Sequence, residues 1–179
     1  MSVIETPEQR WDTTLKPLHQ TGEVTWEVLL SRLSPPDVTN MRTLSKLITD
    51  TAQTYKVKTK SLLVGSGADL SDPEYRDLDI FVHTEPLEKR QMIASKVFAT
   101  LKSDYHIMTY PRGSAITFRD IRKPNQFMFG FTDAENVRIG APIDLTFSDS
   151  TDGSYEVVRD YHRFFHLAFC EMPYIAQTA

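Results

Sequence analysis

Ser61-Leu62-Leu63-Val64-Gly65-Ser66, then ten residues, then Asp77-Leu78-Asp79-Ile80-Phe81-Val82: the fold turns on how this stretch is read. Its first part is a short apolar run closed by glycine, which suits a buried strand. In its second part Leu78, Ile80 and Val82 alternate with Asp77, Asp79 and Phe81, which suits a strand with two unlike faces. Period-two geometry then puts both carboxylates on one face and the aliphatic side chains on the other. Like charges held side by side are costly unless a cation neutralises them or one takes a proton.

Upstream, Met41, Leu44, Ile48, Ala52 and Tyr55 recur at three and four residues and predict a helix from about Thr39 to Tyr55. Pro35-Pro36 precedes it and is expected to stop the chain, since proline lacks the N–H and fixes φ. Met1 to Ser34 reads as helical pieces broken at Pro17 and Thr21-Gly22, with Trp26, Leu29, Leu30 and Leu33 at helical spacing. This gives two expected units, a helical N-terminal extension over 1–36 and a main domain over 37–179.

Downstream, Leu87 to Ser103 reads as a helix. Tyr105 to Tyr110, Ala115 to Arg119 and Gln126 to Phe131 read as strands, separated by Pro111-Arg112-Gly113 and Pro124-Asn125. Ile143, Leu145 and Phe147 alternate with Asp144, Thr146 and Ser148 in a last strand. After the turn at Asp152-Gly153-Ser154, Tyr155 to Glu171 reads as a helix ended by Pro173, with Val158, Tyr161, Phe165, Ala168 and Phe169 inward. The order predicts an α+β fold, a mixed β-sheet flanked by helices.

Asp144 adds a third carboxylate on a strand, between apolar neighbours. Three acids on neighbouring strands form a scaffold for two-metal phosphoryl transfer, and their hard oxygens favour Mg2+ or Mn2+. Glycines at Gly65 and Gly67 let the backbone approach a ligand, and the Ser66 hydroxyl offers one more donor. A surface hairpin with solvated acids also explains Asp77 and Asp79, but gives Asp144 no reason to sit where it does.

Leu63-Val64-Gly65-Ser66 with Asp77-Leu78-Asp79 resembles the glycine-serine and paired-aspartate signature of the polymerase-β-like nucleotidyltransferases. Pro142-Ile143-Asp144-Leu145 resembles that superfamily's third-carboxylate strand. The spacing is most similar to that of the minimal and antibiotic nucleotidyltransferases. The resemblance implies a palm-like fold in which Asp77 and Asp79 ligate both metals and Asp144 the catalytic one. Gly65 and Ser66 then hold the phosphates of a nucleoside triphosphate such as ATP. It implies transfer of a nucleoside monophosphate to an acceptor hydroxyl on a small molecule, an RNA end or a protein, with release of pyrophosphate. Many relatives carry arginine or lysine soon after the glycine-serine pair. Here Gly67, Ala68 and Asp69 follow, so the facing charge must come from elsewhere, with Arg76 the nearest candidate and Arg112 and Arg119 further off. That departure leaves room for a second class, a non-catalytic binding or regulatory module on the same fold.

The remaining features are weaker. The 179 residues carry a net charge of −4, which gives no overall pull toward nucleic acid. Lys56, Lys58 and Lys60, and the cluster Arg112, Arg119, Arg122 and Lys123, read as solvated faces. Phe127, Phe129 and Phe131 read as a strand face buried under a helix rather than a platform for bases. His162 and His166 have metal-compatible spacing but no third ligand. Cys170 reads as a buried thiol. Asp69 and Glu74, between the motif halves, are candidate general bases. No apolar stretch is long enough for a membrane span and no signal-peptide core is visible, which gives the expectation of a cytoplasmic protein.

Overall fold

The computed structural model describes residues 22–70, 74–110, 126–147, 159, 163 and 168–173. Two helices lead in, α1 (Trp26–Arg32) and α2 (Pro35–Thr54). The strand β1 (Lys58–Val64) leads through a 3-10 turn at Gly65–Gly67 toward β2 (Leu78–Glu85). Helix α3 (Arg90–Asp104) and strands β3 (Ile107–Thr109), β4 (Gln126–Phe131), β5 (Ile143–Phe147) and β6 (Phe169–Met172) follow.

Pro35-Pro36 opens α2 instead of separating it from what precedes. The first helical turn has no use for the missing proline N–H, and the Ser34 side chain caps the helix by accepting from the Asp37 N–H. Of the stripe expected from spacing, Met41, Leu44, Ile48 and Ala52 are buried, while Tyr55, at the helix C-cap, is exposed. Full burial of each aliphatic side chain is worth about 1.5–3 kcal/mol. The helix ends where Lys56 takes the left-handed conformation, φ 54°, and the Val57 N–H returns to the Ala52 carbonyl at 2.8 Å.

Among the described residues the sheet runs β3-β4-β5-β2-β1-β6. It is mixed, as the order of elements predicts: β2 and β5 pair in parallel, and all the other neighbours are antiparallel. One face carries Leu63, Leu78, Ile80, Val82, Ile143, Leu145, Phe147, Phe129 and Cys170, which join α2 and α3 residues in the main core. Phe127 and Phe147 both meet Phe98 of α3, with ring centroids 4.6 and 5.8 Å apart, so the phenylalanine face of β4 is a packing face. Leu29, Leu33 and Val24 lie in the same core, which brings 22–34 onto the sheet domain.

The end of the chain departs from the expected helix. Arg159 and Arg163 are helical, but Phe169–Met172 is a strand pairing antiparallel with β1, Leu63 opposite Cys170 and Val64 opposite Phe169. The backbone of β1 has an edge to satisfy on that side, and the pairing outweighs the helical spacing of Ala168 and Phe169. Cys170 is fully buried; burial, then the charges of Glu27, Glu171 and Glu23, push its thiol up to about 12. The predicted strand Ala115 to Arg119, the residues Arg112, Arg122, Lys123, His162 and His166, and the turn at Asp152-Gly153-Ser154 lie outside the described residues. No described helix is long and apolar enough to cross a membrane.

Candidate active site

The opposite face of the sheet holds the residues singled out by sequence. Val64 lies across from Asp79 in the β1–β2 pairing, and Asp79 lies beside Asp144 in the parallel β2–β5 pairing. In-register residues of neighbouring strands share a face and stand about 4.8 Å apart along the backbone. Asp79 and Asp144 are therefore adjacent, both half-buried, while Leu78 and Ile80, Ile143 and Leu145 point into the core. Asp77, two residues before Asp79, is held just ahead of β2, where the Leu78 N–H donates to the Pro142 carbonyl at 2.9 Å.

The turn after β1 meets this pair directly. Gly65 has φ +72°, a conformation that favours glycine, and a Cβ placed there would stand 2.8 Å from Asp79 Oδ2. The Ala68 and Asp69 N–H groups close the turn onto the Gly65 and Ser66 carbonyls at 3.1 and 3.2 Å. At Gly67 a Cβ would come within 2.8 Å of the Leu78 side chain. The sequence-selected Gly65, Ser66, Asp77, Asp79 and Asp144 thus gather at one end of the sheet. Arg76 is exposed on the approach to β2. Of the two loop acids, Glu74 is exposed but Asp69 is buried.

Gln126, on β4, donates its side-chain amide to both Asp144 oxygens, at 3.0 and 2.8 Å. Among the described residues no three His, Cys, Asp or Glu side chains are drawn together tightly enough to hold a metal ion as they stand. The donor chemistry nevertheless fits a hard divalent cation: all three acids offer oxygen, and glycine leaves the space beside Asp79 free of a side chain.

Sequence reasoning missed the groups that brace this end. Asp37, 2% exposed, accepts from the Ala141 N–H at 2.7 Å, from Ser34 Oγ at 2.7 Å and from the Tyr75 hydroxyl. Burial first, and then the bond to Asp37, raise the Tyr75 hydroxyl above the usual tyrosine range, so it stays protonated and donates. Arg32 reaches the glycine turn, donating to the Gly67 carbonyl at 2.9 Å, and its guanidinium lies 5.2 Å from the Tyr75 ring centroid. The one available signal was the string Ser34-Pro35-Pro36-Asp37, which marks a helix start but names no partners.

No protein-family model matches the sequence, and no curated protein does. Among solved structures the chain is similar to a CCA-adding enzyme in complex with CTP, at 16% identity and a TM-score of 0.39, covering 70% of this chain and 24% of that one. It is similar to the Thermotoga maritima CCA-adding enzyme complexed with tRNA, at 15% identity and a TM-score of 0.36, covering 69% and 24%. It is also similar to the Cid1 poly(U) polymerase bound to MgGTP, at 14% identity and a TM-score of 0.43, covering 77% and 41%. The chain spans about a quarter of the length of the CCA-adding enzymes and two fifths of the polymerase.

Proposed function

We propose that this chain is a metal-dependent nucleotidyltransferase, moving a nucleoside monophosphate from a nucleoside triphosphate to an acceptor hydroxyl with release of pyrophosphate. The observation that carries the reading is the register of Asp79 beside Asp144 on parallel strands, with the Gly65 turn pressed against Asp79. Two half-buried acids side by side supply the adjacent oxygen donors that a cation site requires.

In this reading Asp77, Asp79 and Asp144 hold Mg2+ or Mn2+. A metal held there would supply Lewis acidity, lowering the pKa of the attacking hydroxyl and offsetting charge on the phosphoryl oxygens. The Gly65-Ser66 turn receives the triphosphate, where the missing side chain lets the phosphates come near the backbone and Ser66 offers its hydroxyl. Gln126 keeps the Asp144 carboxylate oriented by donating to both its oxygens. Arg76, exposed beside the site, is the described cation that meets the triphosphate, in place of the basic residue that related signatures carry after the serine. The acceptor is a small molecule, an RNA end or a protein hydroxyl.

The test is transfer of label from α-labelled nucleoside triphosphates to a panel of acceptors with Mg2+ or Mn2+. Label should appear in one acceptor class with wild-type protein and vanish with Asp79→Ala. Equal transfer by the two proteins would remove the assignment. A non-catalytic module on the same fold, favoured by the absence of a basic residue among Gly67, Ala68 and Asp69, would bind nucleotide with metal and label nothing.

A further inference from the structure

Three separate segments supply the site: the turn at Gly65–Gly67, the lead into β2, and the lead into β5. The β1–β2 and β2–β5 pairings fix the strands themselves, but the turn and the two leads lie just beyond the paired residues. All three converge on a small polar cluster at the start of α2. Asp37 Oδ1 accepts from the Ala141 N–H, three residues before Asp144, and Asp37 Oδ2 accepts from Tyr75, two residues before Asp77. The Tyr75 hydroxyl also accepts from the Ser34 N–H at 3.1 Å. Arg32 lies against the Tyr75 ring and donates to the carbonyls of Gly67 at 2.9 Å and Ser66 at 3.5 Å. Asn40, one turn along α2, donates to the Ile139 carbonyl at 2.8 Å.

The closeness of the β5 lead to Asp37 is itself built in. Gly140 has φ +82°, and a Cβ there would stand 2.3 Å from Asp37 Oδ1. The turn can approach the carboxylate this closely only as glycine. A buried carboxylate with so many donors is expensive to disturb, because removing one partner leaves the others unsatisfied.

We propose that Asp37 and Tyr75, with Arg32, act as positioning residues that fix the leads into β2 and β5, and with them the placement of Asp77 relative to Asp79 and Asp144, and seat the glycine turn against them. The proposal rests on the reading of those acids as a metal site. Asp37 touches no reacting group; it acts through backbone it holds on either side. Metal affinity should therefore depend on a hydroxyl two residues outside the acidic pair.

The experiment titrates Mn2+ alone into the full chain, following loss of the free-ion electron paramagnetic resonance signal, for wild type, Tyr75→Phe, Asp37→Asn and Val97→Ala. Val97 is buried on α3, away from the cluster, and reports ordinary loss of stability. Tyr75→Phe keeps the ring under Arg32 and deletes only the hydroxyl, so it remains informative if Asp37→Asn fails to fold. The expected result is an affinity about tenfold weaker in Tyr75→Phe, as for groups that orient metal ligands, with Val97→Ala binding as wild type. Wild-type affinity in Tyr75→Phe, or equal weakening in Val97→Ala, would overturn the positioning role while leaving the metal site standing. Failure of the wild type to bind Mn2+ would overturn both.

Discussion

The two ends of the β1–β2 hairpin share one face and could hardly differ more in charge. At the far end Lys58 stands across from Glu85 and Lys60 across from His83, with His83 Nε2 and Glu85 Oε1 3.8 Å apart. Opposite signs meet there in Lys58 and Glu85, and both lysines and Glu85 are exposed. In the middle Leu62, Val64 and Phe81 pack with Phe169. At the near end Asp79 meets Asp144 in register, both half-buried, with a glycine turn folded over Asp79. The far end is what a strand pair needs for solubility, where exposed pairs of opposite sign contribute about 0–1 kcal/mol. The near end sets two acids side by side instead, and that difference is what singles it out as the candidate site.

The largest effect should come from removing what braces the near end. A chain starting at Asp37 loses Val24, Leu29 and Leu33 from the core and Arg32 from the glycine turn. At about 1.5–3 kcal/mol for each buried side chain, the loss is a large share of a domain's stability. If residues 37–179 form a folding unit of their own, that chain should stay folded with a much lower melting temperature. Amide exchange should show Gly65–Ala68 losing protection before Lys58–Lys60. Loss of all protection would place the boundary earlier in the chain.

A smaller change strikes the turn itself. Gly65→Ala must adopt a left-handed φ and push against the Asp79 carboxylate, costing about 1–3 kcal/mol. Nucleotide transfer should fall by about 10–100-fold, more than the stability loss alone would produce at a temperature where the variant is folded. Steady-state rates beside a melting curve decide it; unchanged rates would separate Asp79 from the reaction. The smallest effect belongs to the far end. Glu85→Gln should shift stability by no more than about 0.5 kcal/mol and leave transfer unchanged. A marked loss of transfer there would erase the contrast between the two ends.

Much of the near end was legible because its signals are local. The alternation of Leu78, Ile80 and Val82 with Asp77, Asp79 and Phe81 needs no partner to be read, and the same holds for Ile143 to Phe147. Which strand lies beside which is not local. The parallel register of Asp79 with Asp144 depends on chain that crosses over between them, and no spacing encodes it. Residues 169–172 misled for the same reason. Ala168 and Phe169 continue the helical spacing of Phe165, but the free edge of β1 takes them as a strand. Nothing beside Asp37 in the sequence marks its role. Its partners Tyr75 and Ala141 lie 38 and 104 residues away.

The central claim has two halves: Asp79 and Asp144 stand side by side for a cation rather than for the fold, and metal with nucleotide binds there. Thermal unfolding of wild type and Asp79→Asn, each with and without Mn2+ and ATP, measures both halves of it. Without ligand, Asp79→Asn should melt at or above the wild-type temperature, since a like charge is gone. With Mn2+ and ATP the wild type should rise by several degrees, because a ligand that binds only the folded state stabilises it, and the variant should not. An equal rise in both proteins, or a variant that melts far below wild type without ligand, would contradict the account.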